Sequence, residues 1–318
     1  MRSPDLLYEL PPSQYRVVAP LFAGVWIDRA LIDAVLEGAE PARVFADDPA
    51  QPQAALLCCE AQGDYVVAGG VPGGPVRRFI RDLPREAGVF DRPRFAFFLP
   101  LPAWGDALRE DFAGRIPVFP TRSFRYRGAS VAPVARWRER LALPDAAVRP
   151  IDAALLRELD GGALRTGTAF TVRGQEGGEI TREELAGIAR ERFGFCAVVG
   201  AEIASVAAAF RVSSRYASVA VDTSRPFRRR GLATLACAAL LGECLRRGLT
   251  PLWNCLASNT GSARTALRLG MEEGPPQCES QWRPGWTGVQ TTTGRWRRDA
   301  VAPGPLPGVR VWRGPPPR

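Results

Sequence analysis

The residues best suited to chemistry lie between Ser218 and Met271, where an apolar strand pattern runs into Arg228-Arg229-Arg230-Gly231-Leu232-Ala233 and then directly into a helical pattern. A strand that turns at once into a helix gathers main-chain N–H groups and the positive helix end around one concavity, which suits a phosphate. Gly231 permits backbone conformations closed to other residues, and Ala233 leaves room for a ligand to approach the helix. The three arginines offset the charge of such a ligand, with planar forks that fit phosphate oxygens. The strand–loop–helix setting argues against a merely solvated charge run.

Proton transfer has fewer options. The chain contains no histidine and no lysine, so a base must be a carboxylate or water. Glu202, opening one strand, and Asp222, closing another, are the carboxylates nearest the loop, and each also reads as an ordinary turn or surface charge. Tyr216 is a further candidate whose face is undetermined, because residues alternate across a strand. Cysteines stand at 58, 59, 196, 237, 244, 255 and 278 with no CxxC pair, which sets aside a zinc site and a Cys–His nucleophile. No metal is expected.

The pattern Arg/Gln-x-x-Gly-x-Gly/Ala, carried by Arg228, Gly231 and Ala233, resembles the acyl-CoA pyrophosphate loop of the GNAT (GCN5-related) N-acetyltransferases. A helix, the strand Pro251–Leu256 and Asn259-Thr260-Gly261-Ser262 through Leu269-Gly270-Met271 follow at the spacing of that family. The wording is similar to a bacterial subfamily with a long N-terminal extension; the likeness is good over 195–271 and loose over 40–190. The resemblance implies acetyl-CoA as cofactor, with its diphosphate on Arg228, Arg229, Arg230, Gly231, Leu232 and Ala233. It implies a pantetheine arm between splayed strands, paired with the backbone at Ala220–Thr223, and a main-chain N–H near Val221 polarising the acetyl carbonyl. Asn259 would touch the arm, with Ser262 nearby; Asn259 also reads as a helix N-cap. Trp253 and Cys255 read as core. Gly231→Glu is expected to abolish cofactor binding and leave the fold largely intact.

One departure matters. Many relatives place a tyrosine seven residues after the asparagine, as the acid that protonates the leaving thiolate, and here that position is Ala266. The leading reading is an acetyl-CoA-dependent N-acetyltransferase transferring directly, in a ternary complex, to a small-molecule or peptide amine. A catalytically idle CoA-binding or sensor module stays open beside it, as does acyl transfer on tRNA, which only the charge supports.

The expected frame is α/β (α+β): a C-terminal GNAT fold with a mixed, mostly antiparallel sheet flanked by helices, and an N-terminal α/β domain that could itself be GNAT-like. In residues 1–145, strands are expected at Arg43–Ala46, Ala54–Cys59, Tyr65–Ala68 and Phe95–Pro100, a glycine-rich turn at Gly69–Gly74, and helices at Pro75–Leu83 and 103–112. A charged helix, Val134–Leu141, leads to a boundary near 145. In 146–285, helices are expected at Ile151–Leu159 and Thr181–Phe193, the latter opened by a Thr181/Glu184 capping box, with a polar loop between them that includes 174–179. A meander Phe195–Val199, Glu202–Phe210 and Tyr216–Val221 precedes the helix Gly231–Arg247, the strand Pro251–Leu256 and the helix Asn259–Leu269. Gln277–Trp282 has strand-like alternation. Residues 286–318, rich in Pro, Gly and Arg, read as a tail, with strand-like Val309–Trp312 and a basic cluster at 295–298.

Composition frames these readings. A chain of 318 residues with 46% hydrophobic and 24% charged residues can bury a sizeable core, and no stretch is apolar enough to span a membrane. The N-terminus lacks the basic start and apolar run of a secretory signal, and cysteine usage agrees with a cytoplasmic address. The net charge of +9 is all arginine and is spread along the chain without an aromatic RNA-binding motif, so nucleic acid is an unlikely partner. The sequence does not choose between a monomer and a homodimer.

Overall fold

The computed structural model describes residues 7–282 apart from 60–62, 70–73, 75, 79, 81–94, 113–116, 168–169, 173–174 and 179. The expected turn at Gly69–Gly74, most of the helix at Pro75–Leu83, and the whole 286–318 segment therefore lie outside the described residues.

The first half runs β1 (Tyr8–Leu10), a 3-10 segment (Pro12–Phe22), α1 (Arg29–Leu36), β2 (Arg43–Ala46), β3 (Ala54–Cys59), β4 (Asp64–Gly69), β5 (Phe95–Leu99), α2 (Pro102–Asp111) and β6 (Val118–Arg125). The second half continues with α3 (Val134–Arg140), β7 (Ala146–Pro150), α4 (Ala153–Asp160), β8 (Arg165–Thr166), β9 (Phe170–Val172), β10 (Gln175–Gly178) and α5 (Arg182–Glu191). It ends with β11 (Gly194–Val199), β12 (Glu202–Val212), β13 (Tyr216–Thr223), a 3-10 turn (Arg225–Phe227), α6 (Leu232–Arg246), β14 (Thr250–Leu256), α7 (Thr260–Arg268), β15 (Glu272–Glu273) and β16 (Gln277–Trp282). The stretch expected to be one polar loop between α4 and α5 instead contains β8 and the hairpin β9/β10.

Both halves contribute to a single 14-stranded sheet in the order β1-β2-β3-β4-β5-β16-β6-β14-β13-β12-β11-β7, with β15 beside β6 and β8 beside β12. Each half repeats one scheme: an antiparallel series ending in a parallel pair, β4 with β5 and β13 with β14. The closing strands are exchanged. β16, from the end of the second half, inserts between β5 and β6, and β6, from the first half, pairs with β14.

Core composition fixes which face each strand presents. On β13, Ala217 and Val219 enter the cluster beneath α6 with Leu235, Leu240 and Trp253, and Val221 packs against it. By the two-residue alternation of a strand, Ser218, Ala220 and Asp222 face the other way. The apolar stripe expected on α6 widens because α3 covers its outer side: Trp137 and Leu143 join the same cluster, and Thr234, Cys237 and Leu241 are buried as well. The capping box at Thr181 forms, with Glu184 N–H donating to Thr181 Oγ1 at 3.1 Å and Thr181 N–H to Glu184 Oε2 at 2.9 Å.

Candidate active site

The parallel ladder of β13 and β14 holds Tyr216 against Thr250, Ala217 against Pro251 and Ser218 against Leu252, and then stops. Beyond it β14 pairs with β6 through Leu256, while β13 continues along β12 to Thr223, so a gap opens between β13 and β14. Backbone alternation says what lines that gap. Ser224 N–H donates to Ala204 O at 2.9 Å and the Asp222 carbonyl accepts from Ser205 Oγ, so even-numbered residues turn their main-chain groups toward β12. Val219, Val221 and Thr223 then turn theirs toward the β14 side, where the last rung of the ladder takes the Val219 N–H and leaves the Val219 carbonyl and the main chain of Val221 facing the gap. The structure thus turns Val221 toward the gap and the main chain of Ala220 away from it, while the Thr223 N–H and carbonyl are taken by Asp222 Oδ1 and Arg228 Nε.

Past Thr223 the chain is tied down before it is exposed. Ser224 is fully buried, and Ser205 Oγ and Thr223 Oγ1 lie 2.8 Å apart. After the 3-10 turn come two left-handed residues, Arg229 (φ 65°) and Gly231 (φ 90°), and α6 begins at Leu232. A non-glycine residue at positive φ is uncommon and tends to persist where the surroundings enforce it. A Cβ on Gly231 would also meet Leu141 Cδ1 at 2.9 Å. Gly231→Glu therefore strains the fold as well as the site, contrary to the expectation that the fold would be spared.

The helix starts differ in a telling way. Asp152 caps α4, Thr181 caps α5 and Asn259 caps α7 through side-chain oxygens, whereas α1, α2, α3 and α6 start without a side-chain cap, and of these α6 is the one that follows the end of β13. The amides of the first turn, at Leu232 and Ala233, have no intrahelical acceptor and face a loop holding three arginines. Arg229 and Arg230 are exposed, with the Arg230 guanidinium 5.5 Å from the Phe227 ring centre. Arg228 is half-buried; its Nε donates to Thr223 O at 2.9 Å and its Nη2 lies 3.8 Å from Asp222 Oδ1. It braces the loop against the strand end as well as adding charge.

The two carboxylates expected as bases are not together. Asp222 Oδ1 accepts from Thr223 N–H at 2.7 Å, close to the loop. Glu202 starts β12 five residues beyond Ala207, the partner of Val221, which places it about 16 Å along the strand. There it pairs with Arg165 at 3.4 Å. Tyr216 stands at the start of β13 beside Arg215 and Arg125, whose guanidiniums lie 5.3 and 5.4 Å from its ring.

Asn259 Oδ1 accepts from Ser262 N–H at 3.1 Å, and Ser262 Oγ accepts from Trp253 Nε1 at 2.9 Å, so this trio knits α7 to the buried Trp253. Burial pushes the thiols of Cys196 and Cys244 up to about 12 and that of Cys237 higher still.

Sequence reasoning missed the residues where β13 and β14 part. Ser218 Oγ is buried there without a hydrogen-bond partner. Arg211 of β12 forms ion pairs with Asp28 and Asp64 of the first half, from which it is separated by 183 and 147 residues. No local pattern marks such an encounter.

A loop of free helix-start amides at the end of a strand that leaves its parallel neighbour is the arrangement that the resemblance anticipates. The chain belongs to the GNAT acetyltransferase family, whose model matches residues 19–275. It is an acyltransferase of that family. It is 23% identical over 268 residues to the uncharacterized N-acetyltransferase YdfB of Bacillus subtilis (strain 168), covering 84% of this chain and 95% of that protein. A GCN5-related N-acetyltransferase-like protein from Streptococcus suis superposes with a TM-score of 0.57 at 23% identity, over 85% of this chain and 99% of the other. A tandem GNAT protein from the clavulanic acid biosynthesis pathway does so with a TM-score of 0.50 at 14% identity, over 87% and 98%.

Proposed function

We propose that the protein is an acetyl-CoA-dependent N-acetyltransferase that carries the acetyl group directly to an amine within a ternary complex. The observation that carries the reading is the uncapped start of α6, set at the end of the gap between β13 and β14. Leu232 and Ala233 N–H groups, with Arg228, Arg229 and Arg230, would hold the diphosphate. The Val219 carbonyl and the main-chain groups of Val221 would pair with the pantetheine arm as a neighbouring strand does, and the Val221 N–H would polarise the thioester carbonyl. Acetyl-CoA supplies the activated acyl group and a thiol that leaves.

Direct transfer is favoured over an acyl-enzyme because burial raises the Cys196, Cys237 and Cys244 thiols and keeps them protonated. Cys255, on β14, is raised for the same reason. The position of Ala266 offers no acid, so positioning carries much of the rate.

We further infer that the first half is a GNAT-like unit without a diphosphate loop, since it repeats the strand scheme of the second half. The 1–145 and 146–285 units then share one sheet. No helix among the described residues is long and apolar enough to cross a membrane, and the free cysteines suit a reducing cytoplasm.

Isothermal calorimetry with acetyl-CoA, followed by release of free CoA thiol in the presence of amines, tests the reading. Micromolar binding and amine-dependent thiol release are expected. Binding without release from any amine would instead establish the idle module.

A further inference from the structure

The place where β13 leaves β14 is a cavity of about 170 Å³, roofed by the first half of the chain. Ser218 and Asn254 stand on the two sides of the parting strands. Arg211 and Phe210 of β12 form one wall, and Asp28, Asp64 and Phe98 of the first half form the other. Of the ionisable side chains lining the cavity, two are therefore carboxylates and one is a guanidinium.

Several features mark this as more than a clamp between the halves. Ser218 is 8% exposed and its hydroxyl has no partner, although buried polar groups are nearly always satisfied. Its side chain is on the face away from α6, the face that Asn254 and Arg211 share. Asp28 sits in the left-handed region at φ 50°, outside any helix C-terminus or glycine turn. In the orientation that satisfies both ends of its amide, Asn254 accepts from Asp28 N–H at 3.1 Å and donates to Ser123 Oγ at 2.8 Å, which fixes the strained residue at the cavity wall. Asp222, by contrast, lies about 13 Å along β13 from Ser218, next to the loop.

We propose that this cavity is the acceptor site and that it takes a compact cationic primary amine, its ammonium held by Asp28 and Asp64 and its apolar body between Phe98 and Phe210. The proposal rests on reading the gap as the seat of the thioester. Arg211 bridges the two carboxylates, and burial pulls its own guanidinium down to about 10. One carboxylate accepts a proton from the bound ammonium, and the freed lone pair forms the C–N bond at the thioester carbonyl. The C–S bond then breaks, the departing thiolate takes the surplus proton of the new amide nitrogen, and the carboxyl returns its own proton to solvent. Ser218 Oγ–H, unpartnered in the cavity wall, would hydrogen-bond the incoming amine and orient it.

The test uses the full chain and a panel of phenethylamine, 1,4-diaminobutane and glycinamide, with alanine as the carboxylate-bearing control, and follows thiol release. Phenethylamine is expected to be the best acceptor and alanine the worst, because a second carboxylate meets Asp28 and Asp64. Asp28→Asn and Asp64→Asn each leave Arg211 one anionic partner, so the fold survives. Each should raise the KM for phenethylamine at least about tenfold, with acetyl-CoA affinity by calorimetry unchanged. Asp64→Glu should recover part of that loss, which a merely structural pair would not show, and Ser218→Ala should lower kcat more than it raises KM. Wild-type protein that fails to bind acetyl-CoA overturns the functional reading and this inference with it. Wild-type protein that binds acetyl-CoA overturns this inference alone if alanine matches phenethylamine, if no amine of the panel is acetylated, or if neither asparagine variant changes KM.

Discussion

Among the described residues, each half of the sheet has one place where neighbouring parallel strands part, and the two partings are filled differently. β4 and β5 pair at Asp64/Ala96, Tyr65/Phe97 and Val66/Phe98 before they diverge, just as β13 and β14 pair over three positions and diverge. In the first parting the Gly69 carbonyl accepts from Trp104 Nε1 at 3.1 Å, and Trp104 packs with Tyr65, Phe97 and Leu99 into a continuous core. In the second, the Val219 carbonyl and the main chain of Val221 face the gap and Ser218 keeps an orphaned hydroxyl. The segments that follow differ in the same sense. After Gly69 the sequence places prolines at 72 and 75, which have no N–H to give, where the second half has Arg228, Gly231 and Ala233. A divergence of strands is thus only an opportunity; whether it becomes a binding cleft or a packing seam depends on what fills the space and on which amides are left over.

The contrast can be broken most sharply at the start of α6. Ala233→Glu brings a carboxylate to the first turn without the backbone strain of a change at Gly231, and should weaken acetyl-CoA binding by on the order of 100-fold while the melting temperature stays close to wild type. Calorimetry showing equal affinity would leave the two partings functionally alike. A second, smaller effect is expected in the first half. Trp104→Phe keeps most of the ring and orphans the Gly69 carbonyl, costing about 1–3 kcal/mol in urea unfolding. The same variant should still bind one acetyl-CoA per chain; a stoichiometry of two, in it or in wild type, would make the first parting a cleft after all. Smallest is Asn259→Ala, which removes the cap of α7 and should cost about 1 kcal/mol of stability. A loss of acetyl-CoA affinity beyond tenfold in that variant would show that the asparagine touches ligand in addition to capping its helix.

Much of this architecture was readable from local pattern. Arg43–Ala46, Ala54–Cys59, the three-stranded meander and the helices around Gly231 and Asn259 are where periodicity and caps put them, because short-range burial and capping decide those elements. The segment before Arg43 was silent: its 3-10 stretch carries Pro12 and Pro20 and no helical period, yet it buries Tyr15, Val18 and Phe22. The loop at Arg228–Ala233 was legible because the residues proposed to hold the diphosphate are contiguous in sequence. The cavity at Ser218 was not, since Asp28, Asp64 and Arg211 meet only after the sheet has closed across both halves. Glu202 was favoured because it opens β12 near the expected site, and the antiparallel register places it three residues beyond Ser205, the partner of Thr223, where Arg165 pairs with it.

The exchange of β6 and β16 has a further consequence, for synthesis rather than for chemistry. Val118–Arg125 is made well before its partners β14, β15 and β16, and β5 gains its second neighbour only when Gln277–Trp282 has emerged. A strand edge therefore waits, open, while about half of the chain is made, and β16 acts as a latch that locks both halves at once.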